Sequence, residues 1–341
     1  MLVSVVIGLL NEEKFLPKLI EDFKVQTYNH SKIELIFIDG MSTDSSWSIL
    51  ENFKSSKNDF FDIVLLKNPK VILSSGMNIG IRKARGECIL KVDCHSHITK
   101  NFIENNVKII NEGEYVCGGP RPNIIESNDN LSQTLLLVEE NMFGSGIADY
   151  RKETSKKYVN SVFQGMYRKE IFEKVGLLDE EVGRVEDNEL HYRIRKNGYK
   201  IRYSKDILSY QYTRPTIKRM LKQKYLNGYW IGKVSHIYPK AFSIFHFVPL
   251  FFVLAIIFSL LIIPITKIFI ALLSGAYLLF AIIIMLITIL NNKFNFTMLL
   301  MPFLLFLIHF SYGLGSLVGL VKGFSWKKEY YSKINIKNDV K

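Results

Sequence analysis

Residues 246–321 carry only two charged side chains, Lys267 and Lys293, whereas residues 1–245 mix charged and apolar positions throughout. That shift constrains the chain more than any other feature. Three apolar runs lie in it, His246–Thr266, Ile268–Leu290 and Thr297–Val321, and each is long enough to cross a bilayer. The joints between them, Lys267 and Asn291–Phe296, are very short. Four regions follow from composition: a soluble domain over 1–213, a basic amphipathic or interfacial segment over 214–245, transmembrane helices within 246–321, and a basic tail over 322–341.

The formal charge of +12 matters less than its placement. Seven basic residues and no acid fall between Arg214 and Lys240, just before the first apolar run. Such a block is drawn to anionic headgroups and favours the cytoplasmic side. Because the charge tracks the membrane boundary rather than a recognition motif, nucleic acid is not the expected partner. Arg214–Tyr229 mixes basic and aromatic residues at helical spacing, as an interfacial helix or a solvated one would. Three spans would put the chain ends on opposite sides, yet the tail is also basic. One run is therefore expected to be re-entrant or interfacial, and His246–Thr266, with Pro249 and Pro264, is the candidate.

Three cysteines, Cys88, Cys94 and Cys117, make neither a disulfide framework nor a zinc site. The apolar start Met1–Leu10 has no basic leader or small-residue cleavage site and reads as a buried strand.

Short apolar strands alternate with helical patterns through the first region. Strands are expected at Val3–Leu9, Glu34–Asp39, Asp62–Leu66, Glu87–Asp93, Tyr115–Cys117 and Lys200–Ser204. Helices are expected over Glu13–Gln26, from the caps Ser42-Thr43-Asp44 through Phe53, over Ser74–Arg85, from Thr99, over Leu131–Met142, Lys169–Val175 and Glu186–Lys196. Arg121–Tyr158 is otherwise polar and irregular, a mobile acceptor loop or a surface excursion. This α/β alternation predicts a mostly parallel sheet covered on both faces, with ligands beyond the carboxyl ends of its strands. Three strands deliver Asn11-Glu12, Asp39 and Asp93-Cys94-His95 to that edge.

Asp93 and His95 are two apart, so an extended segment would point both to one side. Together they could hold Mn²⁺ or Mg²⁺, or make a turn and a surface loop; His97 has the same parity as a weaker alternative. Asp39 could accept hydrogen bonds from a base or ribose, or cap the next helix. Glu186 and Asp187 open a helix, where the dipole favours carboxylates in any case; one could instead serve as a general base. No Gly-x-Gly-x-x-Gly, P-loop or Gly-x-Ser-x-Gly motif occurs in these contexts.

Val3–Ile7 with Asn11-Glu12-Glu13, Ile38–Asp44, Gly76-Met77-Asn78-Ile79-Gly80 and Val92–His95 together resemble family 2 glycosyltransferases. Gln164-Gly165 with Arg168, Val175–Asp179, and Glu186–Leu190 with Arg193 and Gly198-Tyr199 follow in the family's order, so the resemblance covers residues 3–205. The membrane-bound exopolysaccharide enzymes, of the succinoglycan glucosyltransferase type, are the most similar subgroup. The resemblance implies a Rossmann-like, GT-A type nucleotide-sugar domain and an inverting, metal-dependent transfer from a UDP-sugar to a lipid-linked acceptor at the cell membrane, with the catalytic domain cytoplasmic. Gly8, Leu10, Asn11, Glu12, Asp39, Asn78 and Asp93 would serve the nucleotide, Asp93 and His95 the metal and diphosphate, and Asp187, with Glu186 beside it, the acceptor proton. Gly8 stands where the family often has Pro, Gly40 where a second Asp is frequent, and His95 where many members have Asp, the last as in the exopolysaccharide subgroup. Gln223-Lys224-Tyr225-Leu226 lacks the Arg-Trp of processive synthases. A degenerate, non-catalytic membrane scaffold and a processive synthase are the competing expectations.

Overall fold

The computed structural model describes residues 1–141, 144 and 157–339. The part of the irregular segment at 142–143 and 145–156, and the final residues 340–341, lie outside the described residues. The chain forms two compact units, Met1–Ile124 with Ala148–Tyr212, and Ile125–Ile147 with Thr213–Lys341.

The first unit is built on alternation. In β1 (Val3–Leu9), Val3, Val5, Ile7 and Leu9 join one core with Leu35 and Phe37 of β2 (Ile33–Asp39), while Val6 joins another with Ile36 and Ile38. A period of two sends successive side chains to opposite faces, so both faces of the sheet are buried. The first core is closed by α1 (Leu16–Lys24), α2 (Ser46–Ser55) and α4 (Phe102–Asn111), and the second by α3 (Leu73–Lys83), α6 (Glu170–Val175) and α7 (Glu186–Lys196). The remaining strands are β3 (Asp62–Lys67), β4 (Cys88–Lys91), β5 (Ser96–Ile98), β6 (Val116–Gly118), β7 (Asn123–Ile124), β8 (Tyr158–Val159), β9 (Met166–Arg168), β10 (Ile201–Tyr203) and β11 (Ser209–Tyr212). The main sheet runs β3-β2-β1-β4-β9-β6-β10-β8, and a small second sheet runs β5-β11-β7. Neighbours from β3 to β4 are parallel; β9 enters antiparallel between β4 and β6, and β10 returns parallel to β6.

The expected helix Glu13–Gln26 is shortened to Leu16–Lys24, with Pro17 in its first turn. Residues 11–13 are held instead by the loop after β2. The Asn11 N–H donates to Ser42 Oγ at 2.9 Å, the Glu12 N–H to Ser46 Oγ at 2.8 Å and the Glu13 N–H to Asp44 Oδ2 at 3.1 Å. The strand Glu87–Asp93 likewise stops at Lys91, so Asp93 and His95 sit on a turn rather than in an extended run.

The second unit contains α5 (Asn130–Glu140), α8 (Ile217–Val234), α9 (Val248–Leu261), α10 (Ile268–Asn291) and α11 (Met301–Asp339). Thus α5, which falls before the sequence boundary at residue 213, belongs with the later helices. The Thr134 and Thr297 hydroxyls lie 2.7 Å apart, and Leu135 and Val138 share a core with Met298, Met301, Leu304 and Leu305. Ile244–Leu261, Ile268–Asn291 and Phe296–Lys333 are long and apolar enough to cross a membrane, by length and composition. The helix that carries the last of the three expected runs, α11, continues unbroken past Val321 through the basic tail.

Helix α3 lies close on the sheet because Gly80 has no side chain. A Cβ there would fall 2.5 Å from Val6 Cγ1 and 2.8 Å from Ile38 Cδ1. Helix propensity favours alanine over glycine by up to about 1 kcal/mol, but overpacking a fully buried contact costs about 1–3 kcal/mol. Gly80→Ala is therefore expected to lower the unfolding free energy, by about 1–2 kcal/mol, read from the midpoint of a denaturant titration.

Candidate active site

The carboxyl ends of β1, β2 and β4 meet at one edge, and the residues there form two linked groups. The first is centred on Lys91, the last residue of β4. Its amine lies 2.7 Å from Asp187 Oδ1 and 2.6 Å from Oδ2, with Glu186 Oε1 at 3.8 Å. A lysine and two carboxylates are thus buried together. Glu186 and Asp187 are the first two residues of α7, and its N-terminal dipole favours negative charge there. Burial alone would discharge Lys91, but Asp187, Asp93 and Glu186 outweigh it and hold the amine charged. Burial pushes the Glu186 carboxyl up to about 7, with Lys91 opposing the rise and Asp187 adding to it. Asp187 is also pushed up by burial, while Lys91 opposes. Glu186 Oε2 is buried without a hydrogen-bond partner. Phe163 forms an apolar floor, with the Lys91 amine 5.4 Å and the Arg121 guanidinium 3.6 Å from its ring centroid.

The second group lies on the turn after β4. His95 Nδ1 is 3.3 Å from Glu12 Oε1, and the Gln211 amide nitrogen is 3.1 Å from His95 Nε2. Both contacts are satisfied if Nδ1 carries the proton. Asp93 joins the two groups, because its charge acts on Lys91, Glu186 and Asp187, and it is two residues from His95.

The other sequence candidates divide. Leu10, Asn11 and Glu12 line the loop after β1, where Asn11 holds a left-handed backbone conformation (φ 54°) and its Oδ1 accepts from the Thr43 N–H at 2.8 Å. Gly8 leaves room for Leu73 at the start of α3, since a Cβ would lie 2.7 Å from Leu73 Cδ1. Asp39 is fully buried at the end of β2. Its carboxylate accepts from the Ser42 N–H at 3.1 Å and from Lys67 at 2.7 Å, so it already anchors its own loop. Asn78 is not brought to the edge group. Its amide grips the Leu178 backbone at 2.9 and 3.0 Å and reaches Glu180 Oε1 at 3.1 Å, tying α3 to the 177–180 loop. His97 turns away to Asp22, 2.8 Å from each carboxylate oxygen.

Lys91, Arg121 and Gln211 were not among the sequence candidates. For Lys91 a signal existed, since a single cation inside the strand Cys88-Ile89-Leu90-Lys91 must find an anion once buried. Arg121 and Gln211 stand in segments without periodicity, and nothing local marks them.

These observations define a class first: an α/β domain whose ligand edge, beyond β1, β2 and β4, carries buried carboxylates held by a lysine. The family model for glycosyl transferase family 2 matches residues 4–176, about half of the chain, and the chain belongs to that family. The dolichyl N-acetyl-alpha-D-glucosaminyl phosphate 3-beta-D-2,3-diacetamido-2,3-dideoxy-beta-D-glucuronosyltransferase of Methanococcus voltae is 29% identical over 325 residues, 94% of this chain and 98% of that protein. The succinoglycan biosynthesis protein ExoA of Rhizobium meliloti is 23% identical over 68% of this chain and 69% of its own length. Among solved structures, the mannosyltransferase PcManGT of Pyrobaculum calidifontis, in complex with GDP-Man and Mn²⁺, superposes with a TM-score of 0.61 over 94% of this chain and 86% of that one. At 14% identity, that likeness shows the fold.

Behind the edge, His191 is buried between the Ser161 hydroxyl at 2.9 Å and the Tyr167 hydroxyl at 2.8 Å. Burial pulls its pKa down to about 3 from an ordinary 6.5, so the folded chain holds a neutral imidazole. Above pH 6.5 the ring is neutral in both the folded and unfolded chain, and nothing is lost. As pH falls from 6.5 toward 3 only the unfolded chain takes up this proton, so stability drops by at most about 1.4 kcal/mol per pH unit. In His191→Gln this contribution is expected to vanish. The fall in the thermal midpoint between pH 6.5 and 4 should become shallower than in the parent.

Proposed function

We propose that the protein transfers one sugar from a UDP-sugar to a lipid-linked glycan at the cytoplasmic face of a cell membrane, inverting the anomeric centre. The observation that carries this reading is the buried cluster of Lys91, Asp187 and Glu186, with the charge of the half-buried Asp93 beside it, at the carboxyl edge of the parallel strands. The lipid-linked acceptor is supported by the Methanococcus voltae relative, whose name describes transfer to a dolichyl-phosphate-linked sugar, and by the apolar helices of the second unit. The basic block Arg214–Lys240 supports the cytoplasmic side.

In this mechanism the loop after β1, with Leu10, Asn11 and Glu12, and the Asp39 loop knitted to it receive the nucleoside. Gly8 gives the Leu73 side chain its place at the start of α3, and Asn78 ties α3 to the 177–180 loop. Asp187 accepts the proton of the acceptor hydroxyl. The hydroxyl oxygen then bonds to the anomeric carbon as the bond from that carbon to the phosphate oxygen breaks, and the electron pair leaves with the nucleoside diphosphate. Lys91 fixes the Asp187 carboxylate and opposes its protonation. Asp93 and His95 would hold a divalent cation, Mn²⁺ or Mg²⁺, which suits oxygen-rich ligation with one nitrogen, with His95 Nε2 giving up its contact with Gln211 to the ion. Among the described residues no three His, Cys, Asp or Glu side chains form a protein-only cage, so the remaining positions would fall to water and diphosphate oxygens. When bound, the ion offsets the charge that develops on the leaving diphosphate.

Asp187→Asn keeps the shape of the side chain and removes the base. Transfer should fall by about 10²–10⁴-fold, with UDP affinity by calorimetry within a few-fold of the parent. Glu186→Gln should cost less than about tenfold, because its neighbour would still take the proton. If the two effects were reversed, the base would be Glu186, whose raised pKa and unpartnered oxygen suit that role. Should both variants keep full turnover with the parent's donor affinity, the cluster would have no part in proton transfer.

A further inference from the structure

Within the second unit, α8 and α11 touch backbone to backbone. A Cβ on Gly228 would fall 2.0 Å from the Tyr312 carbonyl oxygen, and one on Gly232 would fall 2.3 Å from that of Ser316. From the other side, a Cβ on Gly315 would meet the Tyr225 carbonyl oxygen at 2.1 Å, and one on Gly319 that of Tyr229 at 2.0 Å. The two helices run in the same direction. Gly228 lies beside Tyr312, Gly232 beside Ser316 and Leu320, His236 donates to the Leu320 carbonyl at 2.8 Å, and the Tyr238 and Tyr330 hydroxyls are 2.6 Å apart. Earlier residues of α8 therefore lie beside earlier residues of α11, and Met220 shares a core with Leu304, Leu305 and Ile308.

This pairing bears on which apolar helices cross the bilayer. If Met301–Val321 crossed it, α8 would be carried into the hydrocarbon beside it. Lys218, Arg219 and Lys222, all exposed, would enter with it, together with Lys224, which pairs with Glu139 at 2.7 Å. Several cations at that depth are among the most unfavourable contents a membrane core can hold. On α11, Phe303, Phe306, Leu314, Val321, Phe324 and Tyr331 are exposed. At about 100° per residue they fall within one third of the helix circumference, opposite the glycines that meet α8. The stripe is apolar for roughly 32 Å, from Phe303 to Phe324, and the exposed Lys328 lies on the same third of the helix before Tyr331.

The other two helices also pack on α11, where a Cβ on Gly313 would fall 2.0 Å from the Pro249 carbonyl oxygen and the Tyr277 hydroxyl is 2.7 Å from His309 Nδ1, but they differ in the charges they carry. Helices α9 and α10 form an antiparallel hairpin, with Phe252 stacked on Tyr277 at 4.7 Å and Phe258 edge-on to Phe269 at 6.1 Å. Their outer surfaces and the joint between them are apolar and bare, with Leu261, Ile265 and Leu272 at 73%, 85% and 66% exposure. Lys267, near the tip, is the one Lys, Arg, Asp or Glu between Ile244 and Asn291.

We infer that α9 and α10 are the crossing segments, and that α11, with α8 on its back, lies along the near-side surface of an anionic bilayer. The α11 stripe meets the acyl boundary and the cations of α8 lie at headgroup level. Two crossings return the chain to its starting side, so the basic block Arg214–Lys240 and the basic tail share one face, as the charge rule prefers. The sequence expectation of a re-entrant His246–Thr266 is replaced by a re-entry-free hairpin and an in-plane α11. The inference does not depend on the transferase reading.

The test uses full-length protein in vesicles of known orientation, with single reporter cysteines at Lys267→Cys, Lys293→Cys and Lys333→Cys, the last exposed and on the side of α11 away from the stripe, and Lys240→Cys as the near-side reference. The native Cys88, Cys94 and Cys117 are buried. With a membrane-impermeant maleimide, Lys267→Cys should label from the side opposite the reference, and Lys293→Cys and Lys333→Cys from the same side. Lys333→Cys labelling from the far side means that α11 crosses. Lys267→Cys on the near side with Lys293→Cys on the far side means that α9 is re-entrant. Either pattern, or any other, overturns the proposal. Probes at Phe303→Cys, Leu314→Cys and Phe324→Cys, quenched by nitroxide lipids in an anionic bilayer, should report one common depth. A depth that changed by roughly 1.5 Å per residue along α11 would also overturn it, and activity is needed for neither measurement.

Discussion

The placement of Lys91 governs the chemistry of the first unit. A lysine at the end of a strand buried on both faces cannot reach water, so it is stable only with anions brought to it. The start of α7 brings two, Glu186 and Asp187, and the turn after β4 adds the charge of Asp93. Breaking such a pair from one side leaves an uncompensated buried charge and costs about 3–5 kcal/mol. The same interaction that fixes α7 against β4 therefore fixes the orientation of the Asp187 carboxylate. The segment just before β9 meets the same residue, with the Gly165 carbonyl accepting from the Lys91 N–H at 3.0 Å and the Phe163 ring 5.4 Å from its amine.

The second constraint on the edge is the interlocking of two loops. Gly40 donates to the Leu9 carbonyl at 2.8 Å, and the side chains of Asn11, Ser42, Asp44 and Ser46 satisfy backbone groups across the gap. Loops at strand ends hold polar backbone that no ladder can satisfy, and here each loop supplies the partners of the other. Asp39 is part of this lock rather than a group left free for a ligand. Its burial and its contacts with Ser42 and Lys67 make it a support for the two loops, on which the side chains Leu10 and Met41 are exposed.

The α/β alternation and the edge that collects Glu12, Asp39 and Asp93 were legible because burial on both faces writes long apolar runs into β1 and β2. The family motifs added Asp187, which local pattern alone could not separate from an ordinary helix-opening acid. What stayed hidden depends on distant pairing. Asn78 sits in a motif, yet its amide is used by Leu178, a hundred positions away. The arrangement of His95 between Glu12 and Gln211 joins three parts of the chain, and the antiparallel entry of β9 rests on a strand of only three residues. The extended run expected to carry Asp93 and His95 is absent for a local reason, since the strand ends at Lys91 and a turn begins.

Hydropathy has the same blind spot in the second unit. A window over Phe296–Lys333 scores as a span because it sums one helix at a time. Whether such a helix can enter hydrocarbon also depends on what is bound to it. The glycines at 228, 232, 315 and 319 remove the side chains that would hold α8 and α11 apart, and the contact that results is between backbones. Lys218, Arg219 and Lys222 are then as much a property of α11 as its own phenylalanines. Helices α9 and α10 pack on α11 as well, with Gly313 against the Pro249 carbonyl and the Tyr277 hydroxyl 2.7 Å from His309 Nδ1, but their lone lysine sits near the turn between them, where a cation can reach the far interface. The glycine spacing that reads in an isolated apolar helix as a motif for association within the membrane here binds an apolar helix to a basic one, and so keeps both at its surface.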